Sequence, residues 1–193
     1  MNITKVLSPN FTKGREGFRV LAVVIHIAEG SKQSVIQEFS SPATQKSSHY
    51  LVDRDGSIIQ FVEEANWAYA NGTISNPISE LVQARISKNP NWYTCSLEHV
   101  GFATEDLTEV QYKASAELIA DICKRWNIPI ERMHIIKHRE INDRKICPGI
   151  VNVEKLIALA TAPVVIPLTD ESTSFWAALG TAVFQWIKAF FSK

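Results

Sequence analysis

Phe18-Arg19-Val20-Leu21-Ala22-Val23-Val24-Ile25-His26-Ile27 is rich in β-branched residues and apolar at both odd and even positions. A strand that greasy on both faces sits centrally in a sheet covered by helices. Ser31 follows as a candidate cap for a short helix with Val35, Ile36 and Phe39 on one side, so helical cover comes directly after the strand. Next, Ser48–Val52 and Ser57–Val62 flank Asp53-Arg54-Asp55-Gly56, and Asp-Gly supplies the positive φ of a tight turn, which predicts a hairpin.

Residues 63–94 lack periodicity and hold Asn, Gly, Pro, Trp and Tyr, as expected of a long surface loop that carries function. Cys95–Gly101 reads as another strand. Thr108-Glu109-Val110-Gln111 matches a capping box, and Val110, Ala114, Leu118, Ile122 and Trp126 recur at four-residue steps, predicting a helix over about 109–126. Met133–His138 is strand-like, an irregular basic loop runs to Cys147-Pro148-Gly149, and a helix is expected near 153–160. Together these predict an α/β domain over residues 1–160, a central mixed sheet of about five strands covered by helices.

Residues 161–174 contain Pro163 and Pro167 and read as a linker. Beyond it, Phe175–Phe191 is almost wholly apolar, with Ser174, Thr181, Gln185, Lys188 and Ser192 confined to one arc of a helical wheel. At roughly 25 Å, from about 1.5 Å per residue, this C-terminal amphipathic helix (175–193) falls short of a ~30 Å bilayer core. The expected cover for its apolar face is self-association or packing within the chain, with contact at a membrane surface as the competitor.

Composition narrows the function. With 193 residues, 46% hydrophobic and 21% charged, the chain is globular in type. Twenty Lys+Arg balance twenty Asp+Glu, which leaves no basic footprint for nucleic acid. The N-terminus has no apolar stretch of signal-peptide length, so synthesis in the cytoplasm is expected. Cys95, Cys123 and Cys147 are too few for a disulfide framework.

Catalytic zinc is usually held by three ligands drawn from His, Cys and carboxylate, with water in a fourth position. His26 at a strand end, with His138 and Cys147 bracketing a nine-residue step, fits that need. A buried cysteine also serves as a small core residue, so spacing alone leaves both readings open.

The wording around these residues goes further. Val24-Ile25-His26, Ser48-His49-Tyr50-Leu51-Val52-Asp53-Arg54-Asp55-Gly56, Ser96-Leu97-Glu98, and His138-Arg139-Glu140-Ile141-Asn142-Asp143-Arg144-Lys145-Ile146-Cys147-Pro148-Gly149 occur in this order. The series resembles the type-2 N-acetylmuramoyl-L-alanine amidases, a family that includes phage endolysins, cell-wall amidases and peptidoglycan recognition proteins; it covers about residues 18–160. The resemblance implies one zinc per chain bound by His26, His138 and Cys147, and hydrolysis of the bond between the lactyl group of N-acetylmuramic acid and L-alanine in bacterial peptidoglycan. It implies Glu98, Tyr50 and Lys145 as catalytic groups, with Glu98 acting on the water and Lys145 near the developing oxyanion. Cys147 stands where many relatives carry Asp, and receptor-like relatives without catalysis lack the thiol. His49 supports the site in this reading and Trp67 and Tyr69 line a sugar or peptide groove, while His99 and His134 match no functional position. The aromatic loop departs from the family: Trp67-Ala68-Tyr69-Ala70-Asn71-Gly72 replaces Trp-His-Ala-Gly, and no histidine stands there.

A phage or prophage endolysin that waits in the cytoplasm for holin-type release is the expected role. A cytosolic amidase recycling soluble muropeptides is the alternative within the class, and a non-catalytic peptidoglycan-binding module the alternative outside it.

Overall fold

The computed structural model describes residues 2–162. Most of the linker and all of the C-terminal amphipathic helix expected above lie outside the described residues. Among those described, no helix is long and apolar enough to cross a membrane.

Among the described residues, eight strands and four α-helices follow one another as β1 (Ile3–Lys5), β2 (Phe11–Thr12), β3 (Ala22–Ile25), α1 (Lys32–Ser40), β4 (Tyr50–Val52), β5 (Ile58–Gln60), β6 (Trp67–Ala68), α2 (Glu80–Gln83), β7 (Thr94–His99), α3 (Glu109–Trp126), β8 (Ile135–Lys137) and α4 (Val153–Thr161). Six of the strands form a mixed sheet in the order β1-β5-β4-β7-β3-β8, while β2 and β6 make a separate antiparallel pair. Only β4 and β5 run antiparallel in the large sheet. The sheet has one strand more than the expected five or so. The addition is β1, whose three residues, partly or fully exposed, lack the apolar run that announces a strand.

Alternation along β3 explains why its sequence is apolar throughout. Val23 and Ile25 face a core shared with Tyr112, Leu118, Ile119 and Ile122 of α3 and Leu156 of α4. Ala22 and Val24 face the opposite side, against Leu81, Val82 and Tyr93. A third cluster, Val35 and Phe39 of α1 with Leu51, Ile59 and Phe61, covers the same side farther along the sheet. Helices therefore lie on both faces, and each buried aliphatic or aromatic side chain contributes about 1.5–3 kcal/mol to holding them there.

The hairpin and long helix form as their sequences predict. Asp53 O accepts from Gly56 N (2.9 Å), and Gly56 takes φ +81° to return the chain into β5. At the start of α3 both halves of the capping box close: Thr108 Oγ1 accepts from Gln111 N (3.1 Å), and Gln111 Oε1 from Thr108 N (3.0 Å). Thr108 Oγ1 also donates to Arg54 O at 2.8 Å, pinning the helix to the hairpin turn. Thr108→Ala removes both contacts and is expected to lower unfolding free energy by about 1–2 kcal/mol in urea titration, near the upper range for a lost cap. An unchanged midpoint would show that the cap does not hold α3.

Candidate active site

The register of the parallel strands builds the site. Ile25 of β3 stands abreast of Leu97 of β7 and Lys137 of β8. The next residue on each strand line is His26, Glu98 and His138, so three polar side chains emerge side by side at the carboxyl ends of adjoining strands. Alternation turns His26 and Glu98 away from α3, because Ile25 and Leu97 fill that core.

His26 and His138 bring their rings to 4.5 Å between centroids, and Cys147 joins them from the following loop. One donor atom from each of His26, His138 and Cys147 lies within 4.8 Å of the others. Cys147 Sγ accepts the Ile27 N–H at 3.2 Å, which ties the loop to the end of β3. Gly149 makes that return possible: with φ +66° it passes so near Ala103 that a Cβ would lie 2.0 Å from the Ala103 carbonyl oxygen.

Other groups brace the cluster. His138 Nε2 faces the Asn71 carbonyl at 3.0 Å; a carbonyl can only accept, so Nε2 carries the proton and Nδ1 keeps its lone pair. His99 Nδ1 likewise donates to His26 O (2.8 Å), and its Nε2 accepts from Ser115 Oγ (2.7 Å). Burial, then the neighbouring His138, holds His26 well below the ordinary imidazole range, and burial lowers His138 as well. Both rings are thus kept neutral, the form able to bind a metal.

Glu98 lies 3.9 Å from His26 Nδ1, and its Oε2 is buried with no hydrogen-bond partner. Burial, with a smaller push from Glu38, raises its pKa to about 8. A carboxyl near its own pKa at neutral pH can both take and return a proton. Around it opens a cleft of about 770 Å³ whose walls include Trp67, Tyr69, Lys145 and Glu29 besides the cluster itself. Trp67 and Tyr69 pack ring on ring at 5.1 Å, and Tyr69 Oη pairs with Thr12 Oγ1 at 2.9 Å.

The structure thus brings His26, His138, Cys147, Glu98, Lys145, Trp67 and Tyr69 to one cleft, and leaves Tyr50 and His49 outside it. Tyr50 stands abreast of Leu97, one residue short of the Glu98 row, so alternation sends its ring to the α3 side. There its hydroxyl donates to Glu64 Oε1 at 2.7 Å and accepts from Gln60 Nε2 at 3.1 Å. His49 is abreast of Ser96, a layer below the cleft. Arg15 Nη2, which can only donate, reaches its Nε2 at 2.9 Å, so Nε2 accepts and Nδ1 carries the proton toward Ser96 Oγ (2.9 Å). Burial and then Arg15 lower its pKa to about 3, which keeps it a neutral strut. His134 is structural too, Nδ1 donating to Leu21 O at 2.7 Å.

Three supporting residues escaped the sequence reading. Arg15, 5% exposed, donates to the carbonyls of Glu64, Trp92 and Thr94 and fastens the aromatic loop to the start of β7. Glu64 receives Tyr50, Arg125 and Trp126. Asn71 was passed over because Asn-Gly is itself a turn signal.

The comparisons with known proteins agree with this geometry. The family model described as N-acetylmuramoyl-L-alanine amidase matches residues 16–150. N-acetylmuramoyl-L-alanine amidase A of Achromobacter lyticus is 36% identical over 110 residues, 55% of this chain and 53% of that protein, so the chain spans about half the length of that curated relative. Among solved structures, a selenomethionine derivative of AmpD superposes with a TM-score of 0.68 at 21% identity, covering 82% of this chain and 94% of that one. The amidase LysC from Clostridium intestinale URNW gives 0.59 at 16%, covering 84% and 99%. These superpositions establish a shared fold.

Glu64 yields a test of the Tyr50 placement. Burial alone would raise its pKa, but hydrogen bonds from Arg125, Tyr50 and Trp126 outweigh burial and lower it. The ionised form is therefore favoured on folding, and its contribution is present above the unfolded-state value of about 4.3, fading as pH falls through the lower folded-state value. Wild type should be more stable than Glu64→Gln at pH 7, and the gap should narrow progressively in unfolding titrations taken down to pH 3. A gap independent of pH would mean that Glu64 is not the ionised acceptor of this cluster.

Proposed function

The chain belongs to the N-acetylmuramoyl-L-alanine amidase family, whose model spans residues 16–150, and on that premise we propose that it is a zinc-dependent hydrolase of the lactyl-muramic acid to L-alanine amide bond in bacterial peptidoglycan. The meeting of His138, His26 and Glu98 at three adjoining strand ends, with Cys147 swung against them, is the observation that supports this best.

The donor set suits zinc. Two imidazoles and a thiol can complete three corners of a tetrahedral site. Glu98 Oε2, beside the cluster, is buried without a partner, an arrangement that costs stability unless function uses it. His26, His138 and Cys147 would hold the zinc ion, which when bound would supply an acidified water and a Lewis acid for amide hydrolysis. Glu98 takes the proton from the attacking water and delivers it to the departing L-alanine nitrogen, a cycle suited to a carboxyl with a pKa of about 8. Lys145 lines the cleft, and its ammonium is assigned the role of stabilising negative charge that grows on the carbonyl oxygen. The rings of Trp67 and Tyr69, inclined 51° to each other on the cleft wall, offer apolar surface for a sugar or the peptide stem.

A role as a phage or prophage endolysin belongs to the same proposal, with a cytosolic amidase recycling soluble muropeptides as its alternative; the cleft, open to solvent among the described residues, is compatible with either. A non-catalytic binding module would have no use for the buried, partnerless Oε2 of Glu98.

Digestion of purified walls, followed by mass spectrometry for newly freed L-alanine amino termini, tests the reaction; wall turbidity against soluble muropeptide cleavage separates lysis from recycling. Activity should vanish with chelator and return with zinc. His138→Ala should lose most of the metal, whereas Glu98→Gln and Lys145→Ala should keep it and lose about 10²–10³-fold in turnover. Full zinc content in His138→Ala would move the ligands elsewhere, and near-wild-type turnover in either of the others would remove that residue from the chemistry.

A further inference from the structure

Asn71 closes the aromatic loop and is 1% exposed. Nearly all its polar groups are committed. Its N–H donates to Asn91 Oδ1 (2.9 Å), its Nδ2 to Thr94 Oγ1 (2.8 Å), and its carbonyl accepts from His138 Nε2 (3.0 Å). Thr94 Oγ1 spends its own hydrogen on Pro90 O (2.8 Å), so toward Asn71 it can only accept. That fixes which way the Asn71 carboxamide is turned, nitrogen to Thr94 and oxygen away from it.

The oxygen is the exception. Asn71 Oδ1 is buried with no partner, and so is His26 Nε2. Asn71 and His26 line the same cleft, and the His138 ring that Asn71 O holds at 3.0 Å lies 4.5 Å, centroid to centroid, from the His26 ring. Two orphaned atoms, one able to accept and one able to donate, thus belong to residues that flank His138 in one cleft.

We propose that Asn71 is a positioning residue that holds both histidines by Nε2, its backbone carbonyl fixing His138 and its carboxamide oxygen fixing His26, so that both rings turn Nδ1 to the metal. The assignment rests on the zinc site proposed above. An imidazole that donates Nε2–H to an oxygen keeps its lone pair on Nδ1, and the partner locks the ring's orientation and raises its basicity. One residue doing this for two ligands also couples the aromatic loop to the metal, since Asn71 is held through Asn91 and Thr94 at the start of β7.

Zinc competition against a fluorescent chelator, paired with long-range ¹H–¹⁵N spectra of the imidazoles, tests it on the full chain. Zinc-loaded wild type should show His26 and His138 both protonated at Nε2 and metallated at Nδ1. Asn71→Ala should bind zinc about 10–100-fold more weakly, the range for loss of a group that orients a ligand, while Asn71→Asp, which keeps an oxygen toward His26, should recover most of that loss. Nε2 coordination at either histidine, or zinc affinity in Asn71→Ala within about threefold of wild type against that 10–100-fold expectation, would overturn the assignment alone. Failure of the wild type to bind zinc would overturn the parent reading and this one with it.

Discussion

Three parallel strands held in register, β8, β3 and β7, are the constraint on which the site depends. Neighbouring strands lie about 4.8 Å apart, so the residues that follow Lys137, Ile25 and Leu97 are brought within bonding reach before any loop contributes. The sheet does the positioning and the loops complete it. This places the chemistry where open α/β sheets commonly hold their ligands, outside the carboxyl ends of the strands. A one-residue slip of any of the three would turn its functional side chain into the opposite core.

Holding polar groups at such a depth requires a scaffold that satisfies what is not reserved for chemistry. Below the cleft, His49, Arg15 and Ser96 pair off their buried nitrogens and oxygens. On the α3 side, Glu64 gathers Tyr50, Arg125 and Trp126, and His99 joins the His26 carbonyl to Ser115 of α3. Against that background, four of the six buried partnerless side-chain atoms among the described residues, those of His26, Trp67, Asn71 and Glu98, belong to residues lining the cleft, and only those of Trp92 and Tyr93 lie elsewhere.

The elements legible in the sequence were those with strong local signals. The doubly apolar run before His26, the Asp-Gly turn and the Thr108–Gln111 box each specify their own structure, and α3 spans Glu109–Trp126 as its four-residue periodicity requires. The cluster His26, His138 and Cys147 was legible through ordered blocks of sequence, because ligands at strand ends and in short loops leave compact signatures. Tyr50 and His49 were misplaced for a different reason. Both belong to a block that also contains the β4 core, and deciding which side chain faces the cleft requires the pairing of β4 with β7. Arg15 and Glu64 were invisible because their partners lie 34 or more residues away for Arg15, and up to 62 residues away for Glu64, with no periodicity to betray them. β1 was missed since three residues lacking a buried side chain carry no strand signal.

The central claim is that two histidines and one cysteine, drawn from three separate segments, form a single zinc centre. X-ray absorption at the zinc edge of the loaded protein reads this directly. The account predicts one sulfur in the metal's inner shell alongside nitrogen and oxygen donors, with the sulfur lost in Cys147→Ser. An inner shell of nitrogen and oxygen alone in the wild type, or a sulfur that persists without Cys147, would contradict it.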